Sequence, residues 1–220
     1  MKKIALLVLL SLIATNSYAV GVGLGVKGGS GIGFVDSVAF TGSGSDATSV
    51  RDFGLANGIE LFVNLNFNPL MALQVAVAFG GFNSLGSDHR TRERTDGSWS
   101  SWETSSRNDI TTQINSLGVE TLFRINIPLA NLYASLGGQI GYSFMVHSSA
   151  DDTSVGFPYM DFAGVAEAGI ELPIGPGGLI IALRSRFGIS LDFYNSTNGY
   201  LDYRLIRDFV ALRAGYAWNF

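Results

Sequence analysis

The chain has 220 residues, of which 28 are glycine, 5 proline and none cysteine, and 47% are hydrophobic. Disulfides and thiolate metal sites are therefore excluded. With 14 Lys and Arg against 18 Asp and Glu, the chain also lacks the clustered positive charge that general nucleic-acid binding requires.

Lys2 and Lys3 precede an apolar run from Ile4 to Ala14, which is followed by small residues at Ser17 and Ala19. That order describes a secretory signal peptide, residues 1–19, with cleavage expected after Ala19. The apolar run is shorter than the roughly 20 residues a spanning helix needs. The mature domain is then residues 20–220. It keeps 12 basic residues against 18 acidic ones, a net charge of −6, and only one lysine, Lys27. No later run approaches helical span length, so a membrane, if crossed, is crossed by strands.

From Val20 onward the hydrophobic period is two. In the first segment Val20, Val22, Leu24 and Val26 oppose Gly21, Gly23, Gly25 and Lys27. Next, Ile59, Leu61, Val63, Leu65 and Phe67 oppose Glu60, Phe62, Asn64 and Asn66. After Pro69 the pattern continues with Met71 to Phe79, whose other face holds Gln74 among alanines. A fourth segment sets Leu117, Val119, Phe123 and Ile125 against Glu120 and Arg124, and a fifth sets Leu132, Leu136, Ile140 and Tyr142 against Tyr133, Ser135 and Gln139. A sixth opposes Phe162, Ile170 and Leu172 to Glu167 and Glu171; a seventh opposes Leu179, Leu183, Phe187 and Ile189 to Arg184 and Arg186. The last alternates Val210, Leu212, Tyr216, Trp218 and Phe220 with Arg213 and Asn219.

That makes eight strands, joined alternately by tight turns (NPL, LAN, GPGG) and by long connections over 35–56, 83–112, 146–161 and 192–204. Short turns on one side, long loops on the other and an even strand count predict an all-β fold: an eight-stranded antiparallel up-and-down transmembrane β-barrel with both termini on the short-turn side. A soluble barrel would show the same period with its faces exchanged and its charges in water; the export signal, the ending of the chain and the alternation of short and long connections argue against it. Lys27, Glu60, Glu120, Arg124, Glu167, Glu171, Arg184, Arg186 and Arg213 all fall opposite the apolar stripe. An arginine facing lipid at mid-membrane costs about 2–4 kcal/mol. The nine are expected to meet in a lumen just wide enough for side chains to fill, with Glu167 near Arg184 or Arg186 and Glu120 near Gln139. The inner face of the first strand, Gly21, Gly23, Gly25, Gly29, Gly31 and Gly33 with Lys27, is either room for opposing arginines or the wall of a narrow passage; relief of crowding around Arg184 and Arg213 is the expectation.

The ending Arg213-x-Gly215-x-x-Trp218-x-Phe220 resembles the terminal targeting strand of bacterial outer-membrane barrels. The whole mature chain is similar to the small eight-stranded proteins of the OmpX, OmpW and OmpA-barrel type. The resemblance implies residence in the bacterial outer membrane with both termini periplasmic, contact with outer-membrane lipid, and recognition of the last strand by the barrel-assembly machinery. The function implied is envelope structure or surface interaction, such as adhesion or host-factor binding; OmpW likeness implies instead a narrow channel for small or hydrophobic solutes. In the 83–112 connection, Trp99 and Trp102 either stack on an extracellular protein or glycan ligand or rest on the barrel rim.

Catalytic signals are weak, and neither enzyme activity nor a cofactor is expected. GLGVKG (23–28) matches a dinucleotide fingerprint in letters only, since no helix pattern follows it. HSS at 147–149 resembles the His-x-Ser of lipid A deacylases in a loop-like setting, a distant alternative. His89 lies in a polar segment without companions for a histidine metal cluster. The interior glutamates match a glycosidase dyad only in residue type, with no substrate-sized cleft implied.

Overall fold

A computed structural model describes residues 21–40, 46–95, 98–99, 103–106, 111–127, 130–148, 153–155, 159–191 and 204–220. The expected signal peptide, Trp102, and most of the 192–204 connection lie outside these residues. Eight long strands form the barrel: β1 (Gly21–Phe40), β2 (Asp46–Asn68), β3 (Met71–Thr95), β6 (Thr111–Ile127), β7 (Leu132–Ser148), β9 (Tyr159–Ile174), β10 (Gly177–Leu191) and β11 (Arg204–Asn219). Three short strands, β4 (Ser98–Trp99), β5 (Glu103–Ser106) and β8 (Thr153–Val155), pair with the upper ends of β3 and β7.

Each long strand is antiparallel to its neighbours in sequence, and β1 pairs with β11, which closes the ring. At that seam Lys27 faces Gly215 and Gly31 faces Ala211, while the Phe220 amide donates to the Val22 carbonyl at 2.9 Å. Closure leaves no bare strand edge, the condition for a sheet in hydrocarbon.

Two described tight turns show why their residues are there. Between β2 and β3 the Asn68 side chain accepts a hydrogen bond from the Leu70 amide at 2.8 Å, an Asx turn around Pro69. Between β9 and β10, Gly175 has φ of 61°, a left-handed conformation that costs a residue with a Cβ more than it costs glycine. Asn131, beside β7, has φ of 52°, and asparagine tolerates that region better than most residues.

The period-two pattern becomes an inside-out partition. On β10, Ile180, Ala182, Arg184, Arg186 and Ser190 are buried while Ile181, Leu183, Phe187 and Ile189 are exposed. Leu61, Leu136, Leu183 and Leu212 are all more than half exposed, whereas Lys27 and Glu120 are 0% exposed. An uninterrupted apolar belt around a closed sheet is far larger than the few hundred Å² soluble monomers tolerate, and lipid is the solvent that fits it. The soluble alternative is thereby excluded.

The long connections are shorter than the sequence suggested. Residues 35–40, 46–56 and 83–95 continue as strand, with Asp46 opposite Glu93 and Ala39 opposite Thr48. Beyond the belt both faces of a hairpin are wet, so hydrophobic alternation stops while backbone pairing goes on. The Phe34–Phe53 ring pair, at 5.2 Å between centroids, marks the belt's upper edge, and above it Arg51 donates to Asp36 at 2.6 Å. At the opposite edge, Tyr216 and Trp218 meet edge to face at 4.9 Å.

Candidate functional site

The lumen is built in layers, each supplied by inward positions of several strands. Nearest the tight turns is an open vestibule floored by Arg124 and Glu171. Above it lies an apolar layer of Phe62, Tyr133, Ile180 and Ala217, among others. Then come the charges, and above them a second apolar cluster of Val35, Ala56, Phe82 and Ile114, with Phe209 packed against it.

The central charge layer brings together most of the expected residues. Lys27 lies 2.8 Å from Glu60 and 2.6 Å from Glu167. Arg184 Nη1 donates to Glu60 at 2.6 Å and to Glu120 at 2.9 Å, and its Nη2 makes a shorter contact with Glu120. Gln74 ties the set together by donating to Glu60 at 3.2 Å, and the Tyr133 hydroxyl donates to Glu167 at 2.7 Å. Desolvated charges persist only where partners and hydrogen bonds compensate, and here each carboxylate has at least one such donor.

Register and contact diverge instructively. Glu167 does sit opposite Arg184, and Glu120 opposite Gln139. Yet Arg184 reaches across the lumen to Glu60 and Glu120, and stays 3.8 Å from Glu167. Gln139 accepts instead from Arg186 at 2.8 Å. In a narrow cylinder a long side chain spans to opposing strands, so a neighbour-only count finds Glu167 within ion-pair reach of Arg184 but misses the closer partners across the ring.

Arg213 is the exception among the nine. It is buried at 6% exposure, and its Nε and Nη1 have no hydrogen-bond partner. It joins Arg184 and Arg186 in lining a cavity of about 40 Å³ beneath the upper apolar cluster, room for a few waters. Arg213 balances the layer: Lys27, Arg184 and Arg213 against Glu60, Glu120 and Glu167.

Two further pairs flank the centre. Arg186 pairs with Asp161, which also accepts from Ser143 and Ser190 at 3.2 Å each. Arg124 pairs with Glu171, donates to Asn126 at 2.7 Å and stacks 3.8 Å from the Tyr133 ring centroid. Sequence reasoning missed Asp161, and likewise the buried Asp52, which accepts from Ser84 at 3.4 Å. Both fell in stretches read as loop, although Asp161 continues the inward spacing of Glu167 and Glu171 by twos and was recoverable from it.

The glycine face of β1 needs correcting. A Cβ on Gly25 would overlap the Phe62 ring, and one on Gly29 or Gly31 would overlap β11 backbone at Leu212 or Val210. These glycines therefore seat an aromatic plug and let the closing seam approach, rather than making room for Arg184. The room for Arg213 comes from Gly58 on β2, where a Cβ would stand 3.0 Å from Nη2.

The remaining candidates are placed only in part. Gly215 lies in the seam, where a Cβ would strike the Val26 carbonyl; Trp218 is 40% and Phe220 84% exposed. Trp99 pairs by its backbone with Arg94. His147 lies on β7, paired with Thr112 and Ser154, so it is strand rather than loop.

No family model matches the chain, and no curated protein matches it. Solved structures do. Neisserial surface protein A (NspA) is 11% identical with a TM-score of 0.50, over 90% of this chain and 97% of that one. Ail, the attachment invasion locus protein of Yersinia pestis, is 13% identical with a TM-score of 0.40, over 87% of this chain and 98% of that one. The outer membrane protein OprG from Pseudomonas aeruginosa is 12% identical with a TM-score of 0.39, over 93% and 98%. At such identities likeness shows the fold alone, and the chain has the fold of small bacterial outer-membrane β-barrels.

Proposed function

We propose that the chain is a closed, non-enzymatic barrel of the bacterial outer membrane whose work is done at the cell surface. The supporting observation is the lumen. Phe62, Ile180, Arg184, Glu60, Glu120 and Ile114 are each no more than 2% exposed, so two apolar layers and a salt-bridged layer stand in series across it. Such a barrel anchors; it does not conduct.

In this reading residues 1–19 direct export and 20–220 form the barrel, with both termini and the tight turns in the periplasm. Arg213, Gly215, Trp218 and Phe220 present the last strand to the assembly machinery. The ends of β2, β3 and β7 remote from the tight turns, with β4 and β5 added to β3 and β8 added to β7, carry a binding surface outward for an extracellular protein or glycan. Loops and hairpin tips on a rigid scaffold are where recognition residues concentrate.

The test is planar-bilayer recording of refolded residues 20–220. Absence of reproducible conductance steps supports the closed anchor. Steady steps, reduced by neutral solutes small enough to enter, would replace it with the narrow-channel reading. Surface binding is tested by replacing 86–108 with a short turn: cells keep the barrel but lose attachment to an immobilised glycan or protein array.

A further inference from the structure

The vestibule at the tight-turn end is more elaborate than a drain for the lumen. Its volume is about 470 Å³ and six asparagines line it: Asn64, Asn66, Asn68, Asn126, Asn131 and Asn219. They come from β2, β6, the turn before β7 and β11, so four separate parts of the ring converge on one mouth. Its floor is closed by the layer containing Phe62, Tyr133 and Ile180, which makes it a blind pocket.

We propose that this pocket binds the hydroxyl groups of a neutral saccharide. Electrically the site is balanced, because the Arg124 guanidinium is paired with Glu171, and neither an anion nor a cation is called for. Each asparagine amide offers both a donor and an acceptor, the complement of a hydroxyl, which also does both. At the floor one donor and one acceptor are left over: Arg124 Nη1 and Asn64 Oδ1 have no hydrogen-bond partner, in residues each 4% exposed. Buried polar groups without partners are uncommon and ask for an explanation. A hydroxyl seated at the floor, with a small shift of either side chain, satisfies both. A peptide fits less well, since its side chains would want apolar subpockets and the rim supplies little beyond Leu132 and two prolines. The volume lies within the range of small-molecule pockets and suits a short oligosaccharide.

The experiment is NMR of the refolded barrel in micelles with labelled asparagine side chains, titrated with maltotriose and with N,N′-diacetylchitobiose. Saturable movement of the Asn66 and Asn219 amide signals is expected, with a dissociation constant near ~1 mM, while Asn57, beside the upper cavity, stays still. In the Asn66→Leu/Asn219→Leu variant, which retains the folded gel mobility, the saccharide-dependent movement of the remaining Asn126 and Asn131 amide signals, which line the same pocket, should require at least tenfold more saccharide. The proposal is overturned if neither saccharide moves those signals in a folded barrel. It is equally overturned if glycerol moves them as much at equal hydroxyl concentration, or if a capped dipeptide binds more tightly.

Discussion

Replacing Arg184 by methionine is the most direct probe of the closed lumen. The change keeps an unbranched side chain of similar reach but removes the hydrogen bonds to Glu60 at 2.6 Å and to Glu120 at 2.9 Å, together with the shorter second contact to Glu120. Glu60 retains Lys27 at 2.8 Å, whereas Glu120, 0% exposed, has no other hydrogen-bonded cation among the described contacts. Breaking one side of a buried ion pair costs about 3–5 kcal/mol, because the abandoned charge stays desolvated. A second substitution, Glu120→Gln, removes that charge, and the Arg184→Met/Glu120→Gln pair should recover more than half of the loss. Urea unfolding of the barrel in lipid vesicles, followed by tryptophan fluorescence and by the gel shift between folded and unfolded forms, measures both. A cost for Arg184→Met below about 1 kcal/mol, the scale of a solvated surface pair, would refute the reasoning: water would then reach the carboxylates and the lumen would be an open polar tube.

Three other outcomes follow from the same geometry. Leu183→Arg, on the exposed face at mid-belt, should destabilise the barrel by about 2–4 kcal/mol in vesicles, read by the same unfolding assay. Gly29→Ala should strain the β1–β11 seam, since its Cβ overlaps the Leu212 carbonyl; the heat-modifiable folded band should form but unfold at lower urea, by the about 1–3 kcal/mol that overpacking costs. Phe220→Ala should change unfolding stability by less than about 0.5 kcal/mol, because the side chain is 84% exposed, yet lower the amount of barrel assembled in cells; a matching loss of stability in vitro would make the phenylalanine structural.

Much of this protein follows from alternation alone. Because side chains point to opposite faces of a strand in turn, placing Glu60, Arg124 or Arg184 on one face and Leu61, Phe123 or Leu183 on the other needs no three-dimensional information. Strand number and the tight turns that hold Pro69, Gly175 and Asn131 were readable beside it, while the direction of the faces needed the export signal and the alternation of short and long connections as well. What period two cannot encode is distance across a cylinder. Arg184 bonds Glu60 and Glu120 more closely than its register partner Glu167, Arg213 has no carboxylate in contact among the described residues, and Phe62 fills the space over Gly25; each depends on ring curvature and side-chain reach. Hairpin length above the belt was hidden for a related reason: where water lies on both faces the hydrophobic signal vanishes, and only backbone pairing, seen in the folded ring, shows that Asp52 belongs to a strand. The six asparagines of the vestibule are scattered from position 64 to 219, and closure of β1 onto β11 is what gathers them into one pocket.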